Sequence, residues 1–341
     1  MTRKRPLIFV ALLLALTMTL TSAGVQAKNE NGYRLLIYYG IPIEINEAND
    51  VRKAAEQFAE YDYIVLGAGL EEKSHGDHES TAEIIAELRA LRPDAAVYGY
   101  IDLGVTTDNH SMSVIRNKTD KWKAIGADGI FFDDAGYDYG VSRDRLNQAV
   151  DYVHKQSMKA FLNAWKPDDI MSSAVHEKWN PKGEKTKIAG GDLYLLESFL
   201  EPTDITQADS PSAFGTGFRK KIDAALKYRK LLGVKLMSVS TIDYASVSST
   251  AVRKFFRMNE AAAGVFSLDG YGIAPTEYST GDETHNEVRP MPYILNYMDF
   301  YSAETTYTAK YNDEDFAARG FRLHSLDGDH YYNFPASTAY E

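Results

Sequence analysis

Residues 127–140 read ADGIFFDDAGYDYG, and the repeating unit of the fold is clearest in this segment. Its centre, Gly129–Asp134, is a short apolar run that ends in two acids, which is typical of a β-strand buried on both faces. The segment that follows, Arg143–Gln156, spaces its apolar residues as an amphipathic helix does. The stretch therefore predicts one strand–loop–helix unit.

The same unit recurs along the chain. Seven further strand-like runs are Tyr33–Gly40, Tyr63–Gly69, Ala96–Leu103, Ala160–Trp165, Leu193–Phe199, Leu236–Asp243 and Gly264–Gly270. Helical patterns lie between them at Ala48–Glu60, Glu79–Leu91, Phe218–Leu232 and Thr250–Ala263. Alternating strands and helices imply parallel strands with right-handed crossovers, and eight units predict a (β/α)8 TIM barrel. A doubly wound open sheet is the alternative, but no G-x-G-x-x-G follows the first strand.

The two ends of the chain differ from this pattern. Residues 1–27 combine basic Arg3–Arg5, the apolar run Leu7–Leu20 and small residues ending at Ala27, which predicts a cleaved secretory signal peptide. An uncleaved membrane anchor is the alternative. After the predicted barrel of residues 28–300, strand-like runs at 305–311, 321–325 and 330–334 predict a small β appendage over 301–341, packed on the barrel.

Composition excludes several classes of function. The 341 residues include no cysteine, so disulfides, thiol nucleophiles and cysteine-ligated zinc are excluded. The net charge of −11, which becomes −14 without the three basic residues of the leader, argues against nucleic-acid binding. No later run is long enough to span a membrane. We expect a secreted or cell-envelope bacterial protein that acts as a monomer.

Acids stand at the predicted carboxyl ends of the strands, where barrel enzymes carry their chemistry. They are Asp102, Asp133, Asp134, Glu197, Asp243 and Asp269. Glu197 lies within an apolar run, where an ionised carboxylate is costly unless it is paired or functional. Two carboxylates that face one cleft are what glycosidic hydrolysis requires. The alternative is that these acids cap helices or meet solvent.

Aromatic residues also collect at or near the predicted strand ends. They are Tyr38, Tyr39, Tyr100, Tyr137, Tyr139, Trp165, Tyr244 and Tyr271. Such rings stack on sugar faces, although 23 tyrosines in one chain also make chance placement common. The run His75-Gly76-Asp77-His78-Glu79 has metal-ligand residue types but no HExxH spacing. We therefore predict no metal and no cofactor, with a metal-dependent hydrolase or deacetylase as the alternative.

Three stretches resemble the spherulin-4-like proteins. They are LIYYGIP at 36–42, IDLG at 101–104, and residues 127–154 followed by FLNAW at 161–165. That group includes glycoside hydrolase family 135 and is similar in design to family 114. The resemblance implies a (β/α)8 barrel that cleaves α-1,4-linked galactosamine or N-acetylgalactosamine polysaccharides of biofilm matrices. The family's acidic pair is commonly Asp-Glu, whereas this chain has Asp133-Asp134.

The resemblance also implies roles for individual residues. Asp133 is the expected nucleophile, or the base of an inverting mechanism, and Glu197 the general acid/base. Asp134 is expected to orient Asp133 or to bind a sugar nitrogen. The residues expected to line the sugar subsites are Tyr38, Tyr39, Asp102, Asn163, Trp165, Asp243, Asp269 and Tyr271. The alternatives are a non-catalytic carbohydrate-binding barrel and a substrate-binding transport protein.

Overall fold

The computed structural model describes residues 33–201, 205, 218–266, 268–276, 288, 321–324 and 331–334. The predicted leader at 1–27 and the predicted strand at 305–311 lie outside the described residues. Among the helices that are described, none combines the length and the apolar character needed to cross a membrane.

Eight parallel strands close into a barrel in the order of the sequence, with β1 paired to both β2 and β8. The strands are β1 (Tyr33–Tyr38), β2 (Tyr63–Leu66), β3 (Ala96–Asp102), β4 (Gly129–Asp133), β5 (Lys159–Asn163), β6 (Leu193–Leu196), β7 (Lys235–Ile242) and β8 (Gly270–Pro275). The helices between them are α1 (Val51–Phe58), α2 (His78–Leu91), α3 (Met112–Ala124), α4 (Arg143–Lys155), α5 (Pro167–Met171), α6 (Phe218–Leu232) and α7 (Ser249–Val265). The predicted (β/α)8 barrel is confirmed, and the open sheet is excluded by the β1–β8 pairing.

The predicted eighth strand was wrong. Residues 264 and 265 belong to the end of α7, and β8 begins only at Gly270. A short apolar run does not by itself distinguish a strand from the end of a buried helix. The true strand was hidden by its glycines, which are weak strand formers. Gly272 is required there, because a Cβ would lie 2.7 Å from the backbone oxygen of Leu35 on β1.

Side chains along the strands alternate between two cores. One set fills the barrel interior: Leu35, Ile37, Val65, Tyr98, Phe131, Phe161, Leu193, Leu195, Met237, Val239 and Ala274. The residues between them, such as Leu36 and Phe132, belong to the larger core formed with the helices. The period of two in a strand causes this alternation, so it also decides which residues at a strand end face the barrel axis.

Four aspartates link neighbouring strands by hydrogen bonds at the amino-terminal end of the barrel. Each directly precedes an even-numbered strand, and its carboxylate accepts a backbone N–H from the preceding strand: Asp62 from Arg34, Asp128 from Val97, Asp192 from Ala160 and Asp269 from Leu236. Each also contacts a basic side chain, namely Arg92, Arg89, His154 and Arg229 respectively. These acids hold strand pairs together at the end opposite to the predicted active site.

Two strands of the predicted appendage are described. β9 (Phe321–His324) and β10 (Tyr331–Phe334) form an antiparallel pair, and β10 lies beside α7. Both fall within the predicted runs at 321–325 and 330–334.

Candidate active site

Three polar residues at the carboxyl ends of neighbouring strands face the barrel axis. Asp133 ends β4, Asn163 ends β5 and Glu197 directly follows β6. Each lies two residues after an interior side chain, namely Phe131, Phe161 and Leu195 respectively. The alternation of the strands therefore brings all three into one cluster above the apolar interior.

Asn163 bridges the two carboxylates. Its Nδ2 donates to Asp133 Oδ1 at 2.9 Å and to Glu197 Oε2 at 3.0 Å. The two hydrogens of an amide NH2 diverge by about 120°, so straight hydrogen bonds of these lengths separate the two acceptor oxygens by about 5 Å. One neutral side chain thus fixes the spacing of two acids.

Asp133 receives two further hydrogen bonds. The backbone N–H of Asp134 donates to its Oδ1 at 3.0 Å, and the phenol of Tyr100 donates to its carboxylate. Burial raises the pKa of Asp133 to about 6, Glu197 adds to the rise, and the three hydrogen bonds oppose it. Asp133 is therefore ionised at neutral pH in a water-poor position, as a carboxylate nucleophile or base has to be.

Strand β3 supplies the wall beside Asp133. Tyr100 faces inward, and its ring meets that of Tyr39 edge-on at a centroid distance of 5.5 Å. Asp102 pairs in register with Asp133 and accepts a hydrogen bond from Thr107 Oγ1 at 2.8 Å. Burial raises the pKa of Tyr100 and the acids nearby raise it further, which keeps its phenol protonated as a donor.

Asp134 lies in a different environment from Asp133. Its φ of +52° is in the left-handed region, and its Cβ lies 3.1 Å from the position that a Cβ on Gly104 would occupy. Burial, together with the charges of Asp133 and Asp102, raises the pKa of Asp134 to about 7 against the opposing effect of a hydrogen bond from Tyr139. Asp134 therefore changes charge near neutral pH.

Both residues that directly follow the clustered carboxylates adopt a positive φ. Asp134 has φ +52° and Ser198 has φ +50°. Left-handed backbone at a non-glycine residue is uncommon and concentrates at functional sites, where the surrounding structure sustains it. Two of the seven non-glycine residues with positive φ in the described part of the chain therefore directly follow the acids at the ends of β4 and β6.

Asp134→Asn is expected to stabilise the fold at pH 8 by about 1 kcal/mol. The folded-state pKa of Asp134 lies above its ordinary value, so the carboxyl lowers the stability of the native state increasingly as the pH rises from about 4 to about 7, and the loss is complete above about pH 7. Below about pH 4 the carboxyl is neutral in both states, and this part of the gain disappears. Urea unfolding of both proteins at pH 8 and pH 4 measures it, and an equal gain at both pH values contradicts it.

Two residues form the rim beside β5 and β6. Trp165, two residues beyond Asn163, is 53% exposed, which makes it a ring available for stacking. The ammonium of Lys221 on α6 lies 4.3 Å from the Trp165 ring centroid and donates to the backbone oxygen of Glu197 at 3.2 Å. Trp165 was predicted as a site residue. Tyr100 and Tyr139 were among the aromatic residues noted near strand ends but not among those expected to line the subsites. Lys221 was not predicted, and it has no motif that distinguishes it from the other lysines of α6.

Four of the residues predicted to line the subsites lie elsewhere. Tyr38 points outward, packs edge-on against Phe58 and donates to the backbone oxygen of Ile41. Tyr271 is fully buried in the outer core, within β8. Both were chosen for nearness to a strand end, but the alternation of side chains turns them away from the axis.

The other two are acids with local structural contacts. Asp269 precedes β8 instead of ending it, and it is one of the four aspartates at the amino-terminal end. Asp243 follows β7 but is exposed, and it accepts the backbone N–H groups of Ala245 and Ser246, which lowers the pKa of Asp243. Neither residue joins Asp133 and Glu197.

The histidine-rich run after β2 is occupied by local contacts. His75 Nδ1 accepts the backbone N–H of Asp77, and His78 Nδ1 lies 2.9 Å from the backbone oxygen of Leu70. In the part of the chain that the structure describes, no three His, Asp or Glu side chains converge as a metal site. The metal-dependent hydrolase therefore has no ligand set there.

Comparisons with known proteins concern the barrel and leave its chemistry open. No protein-family model and no curated protein matches the chain. Malate synthase of Haloferax volcanii is 11% identical with a TM-score of 0.46, over 76% of this chain and 74% of that one. Type I 3-dehydroquinate dehydratase of Clostridium difficile is 12% identical with a TM-score of 0.40, over 79% of this chain and 92% of that one. Eubacterium rectale Amy13B is 11% identical with a TM-score of 0.46, over 74% of this chain and 69% of that one. At such values these similarities support no statement about the reaction, and the (β/α)8 assignment rests on the closed strand order.

Proposed function

We propose that this protein is a secreted glycoside hydrolase that cleaves a polysaccharide of α-1,4-linked galactosamine and N-acetylgalactosamine. The observation that carries the proposal is the pair Asp133 and Glu197, whose carboxylates accept from the same Asn163 amide. Two carboxyl groups that face one cleft, with an exposed ring beside them, suit glycosidic bond hydrolysis. The polymer is suggested by the resemblance of residues 127–154 to the spherulin-4-like proteins.

The geometry favours a retaining mechanism. Retaining glycosidases separate their two carboxyl groups by about 5–5.5 Å, and inverting ones by about 6.5–9.5 Å to admit a water. Straight hydrogen bonds from one Asn163 amide to both acids correspond to a spacing of the first kind, with about 5 Å between the two accepting oxygens. Asp133, which accepts three hydrogen bonds, attacks the anomeric carbon, while Glu197 protonates the leaving oxygen. Glu197 then removes a proton from the water that releases the glycosyl group from Asp133.

The net charge suits an aminosugar polymer. Partly deacetylated galactosamine chains are cationic, and a protein of net charge −11 attracts them. Four acids of the site lie close enough for their charges to interact: Asp102, Asp133, Asp134 and Glu197. The charge of Glu197 raises the pKa of Asp133, and the charges of the other three acids raise the pKa of Asp134. The same acids make this cleft unfavourable for anionic polymers.

A release assay with anomer detection tests the proposal. Purified protein is incubated with acetylated and partly deacetylated α-1,4-galactosaminoglycan in the presence of EDTA. Mass spectrometry reads the oligosaccharides, and proton NMR in the first minutes reads the anomer formed. We expect oligosaccharides whose new reducing ends are first in the α configuration. First products in the β configuration overturn the retaining mechanism, and binding without cleavage favours the non-catalytic carbohydrate-binding barrel.

A further inference from the structure

Lys221 lies between the exposed ring of Trp165 and the backbone of Glu197. It belongs to the first turns of α6, and its Nζ donates to the backbone oxygen of Glu197 at 3.2 Å. The same Nζ lies 4.3 Å from the centre of the Trp165 ring. One ammonium group therefore contacts both the residue assigned to proton transfer and the exposed ring assigned to sugar stacking.

The hydrogen bond from Lys221 lies at an interruption in the strand hydrogen bonding after β6. The ladder of β6 ends at Leu196, and hydrogen bonding to β7 resumes at Phe199, whose N–H donates to the Val239 oxygen at 3.0 Å. Between these points Ser198 has a positive φ. The Glu197 carbonyl falls within this break and is part-buried, where a hydrogen bond from a side chain stabilises it. Lys221 supplies such a donor from α6.

We propose that Lys221 is a positioning residue, whose charged ammonium holds Glu197 and Trp165 in one arrangement so that a sugar stacked on the ring is presented to the Glu197 carboxyl. This inference rests on the proposed function. The ammonium acts through two contacts that its charge strengthens, a hydrogen bond to a carbonyl and a cation–π contact. Loss of the charge removes the cation–π attraction and weakens the hydrogen bond.

The surroundings of Lys221 bring the deprotonation of its ammonium group into a pH range where the protein can be studied. Burial lowers the pKa of Lys221 to about 8, while Glu197 and Glu201, both on the segment after β6, act in the opposite direction. Trp165 packs against the ammonium from the loop after β5 and carries no charge. Lys221 is therefore charged below pH 7 and neutral above pH 9, where the cation–π contact is lost and the hydrogen bond to Glu197 is weaker.

Tryptophan fluorescence tests the contact without any substrate. The emission of the wild type is expected to change with a midpoint near pH 8, and the change should be absent in Lys221→Met, Lys221→Arg and Trp165→Phe. Lys178→Met is the matched control, because Lys178 Nζ lies 4.1 Å from the ring of a different tryptophan, Trp179. The transition should persist in Lys178→Met. A transition that survives in Lys221→Met overturns the proposal.

Steady-state kinetics on a cleaved oligosaccharide test the catalytic consequence. Lys221→Met is expected to lower kcat about 10-fold below pH 7, the effect of one hydrogen bond to a charged group. Lys221→Arg should keep kcat within about threefold and lose the fall in activity above pH 8, since arginine stays protonated. A Lys221→Met protein with wild-type kcat and the same alkaline fall overturns the inference. If the wild type cleaves no aminosugar polymer, the proposed function fails and the catalytic role falls with it, whereas the fluorescence transition separately decides whether the contact exists.

Discussion

Asp133→Asn and Glu197→Gln are each expected to lower kcat for oligosaccharide release by at least about 100-fold, with KM changed little. Asp133→Asn replaces the proposed nucleophile by a neutral amide, which cannot form a glycosyl intermediate. Glu197→Gln replaces the proposed acid, so it removes the proton that the leaving oxygen would take up. Both amides preserve the size of the side chain, so circular dichroism and thermal unfolding should show folded proteins.

The controls make this prediction specific to the two clustered acids. Asp243→Asn changes another acid that follows a barrel strand, but Asp243 is exposed and its carboxylate accepts hydrogen bonds from its own loop. Its kcat should stay within about twofold of wild type, the behaviour of a surface substitution away from the site. The Asp133→Asn, Glu197→Gln double variant should be about as slow as either single variant, because the two residues act in one reaction. A Glu197→Gln protein with wild-type kcat would remove Glu197 from the chemistry.

Most of the barrel could be predicted because its strands are short apolar runs between polar residues. Strands buried on both faces leave that signature wherever they occur, as in Gly129–Asp134. The eighth strand broke the rule, because the backbone of β1 approaches it so closely that glycine is required at position 272. A packing requirement between two distant segments thus replaced the apolar pattern with one that resembles a loop.

The clustered acids could also be predicted, but the full lining could not. Counting in twos from Leu35 along β1 separates inward Tyr39 from outward Tyr38, a distinction that nearness to the strand end does not make. Asp269 could have been recognised by comparison with Asp62 and Asp128, since each directly precedes an even-numbered strand. Both signals are present in the sequence once the strand boundaries are correct.

The contacts made by Asn163 and Lys221 depend on three-dimensional register instead. Asn163 reaches both acids because β4, β5 and β6 pair at a particular stagger, with Phe131 opposite Phe161 and Asn163 opposite Leu195. Lys221 is 24 residues beyond the carbonyl that it contacts. No local sequence pattern predicts the contacts of Asn163 with the two acids or of Lys221 with the Glu197 carbonyl.

Asn163→Ala is expected to lower kcat/KM about 100-fold at pH 6, although Asn163 takes part in no bond-making step. Each hydrogen bond to a charged group contributes about 1.5–3 kcal/mol, and this substitution removes one from each carboxylate. The Asn163 amide stabilises ionised Asp133, so without it the pKa of Asp133 rises above its wild-type value of about 6. Initial rates from pH 4.5 to 9 should therefore show the acid limb near pH 6 in the wild type and at higher pH in Asn163→Ala, with part of the activity recovered at pH 8.

Tyr100→Phe separates the two effects of Asn163. The Tyr100 phenol donates to Asp133, so its loss should also move the acid limb to higher pH. Tyr100→Phe nevertheless leaves the Asn163 bridge intact, so its kcat/KM at pH 8 should return to within about threefold of wild type, whereas Asn163→Ala should stay lower because Glu197 is no longer oriented. The Asn163→Ala effect should also shrink in a Glu197→Gln background, as coupled residues require. If Asn163→Ala and Tyr100→Phe recover equally at pH 8, the bridge acts only on the ionisation of Asp133, and the spacing of the two carboxylates is set by the strands themselves.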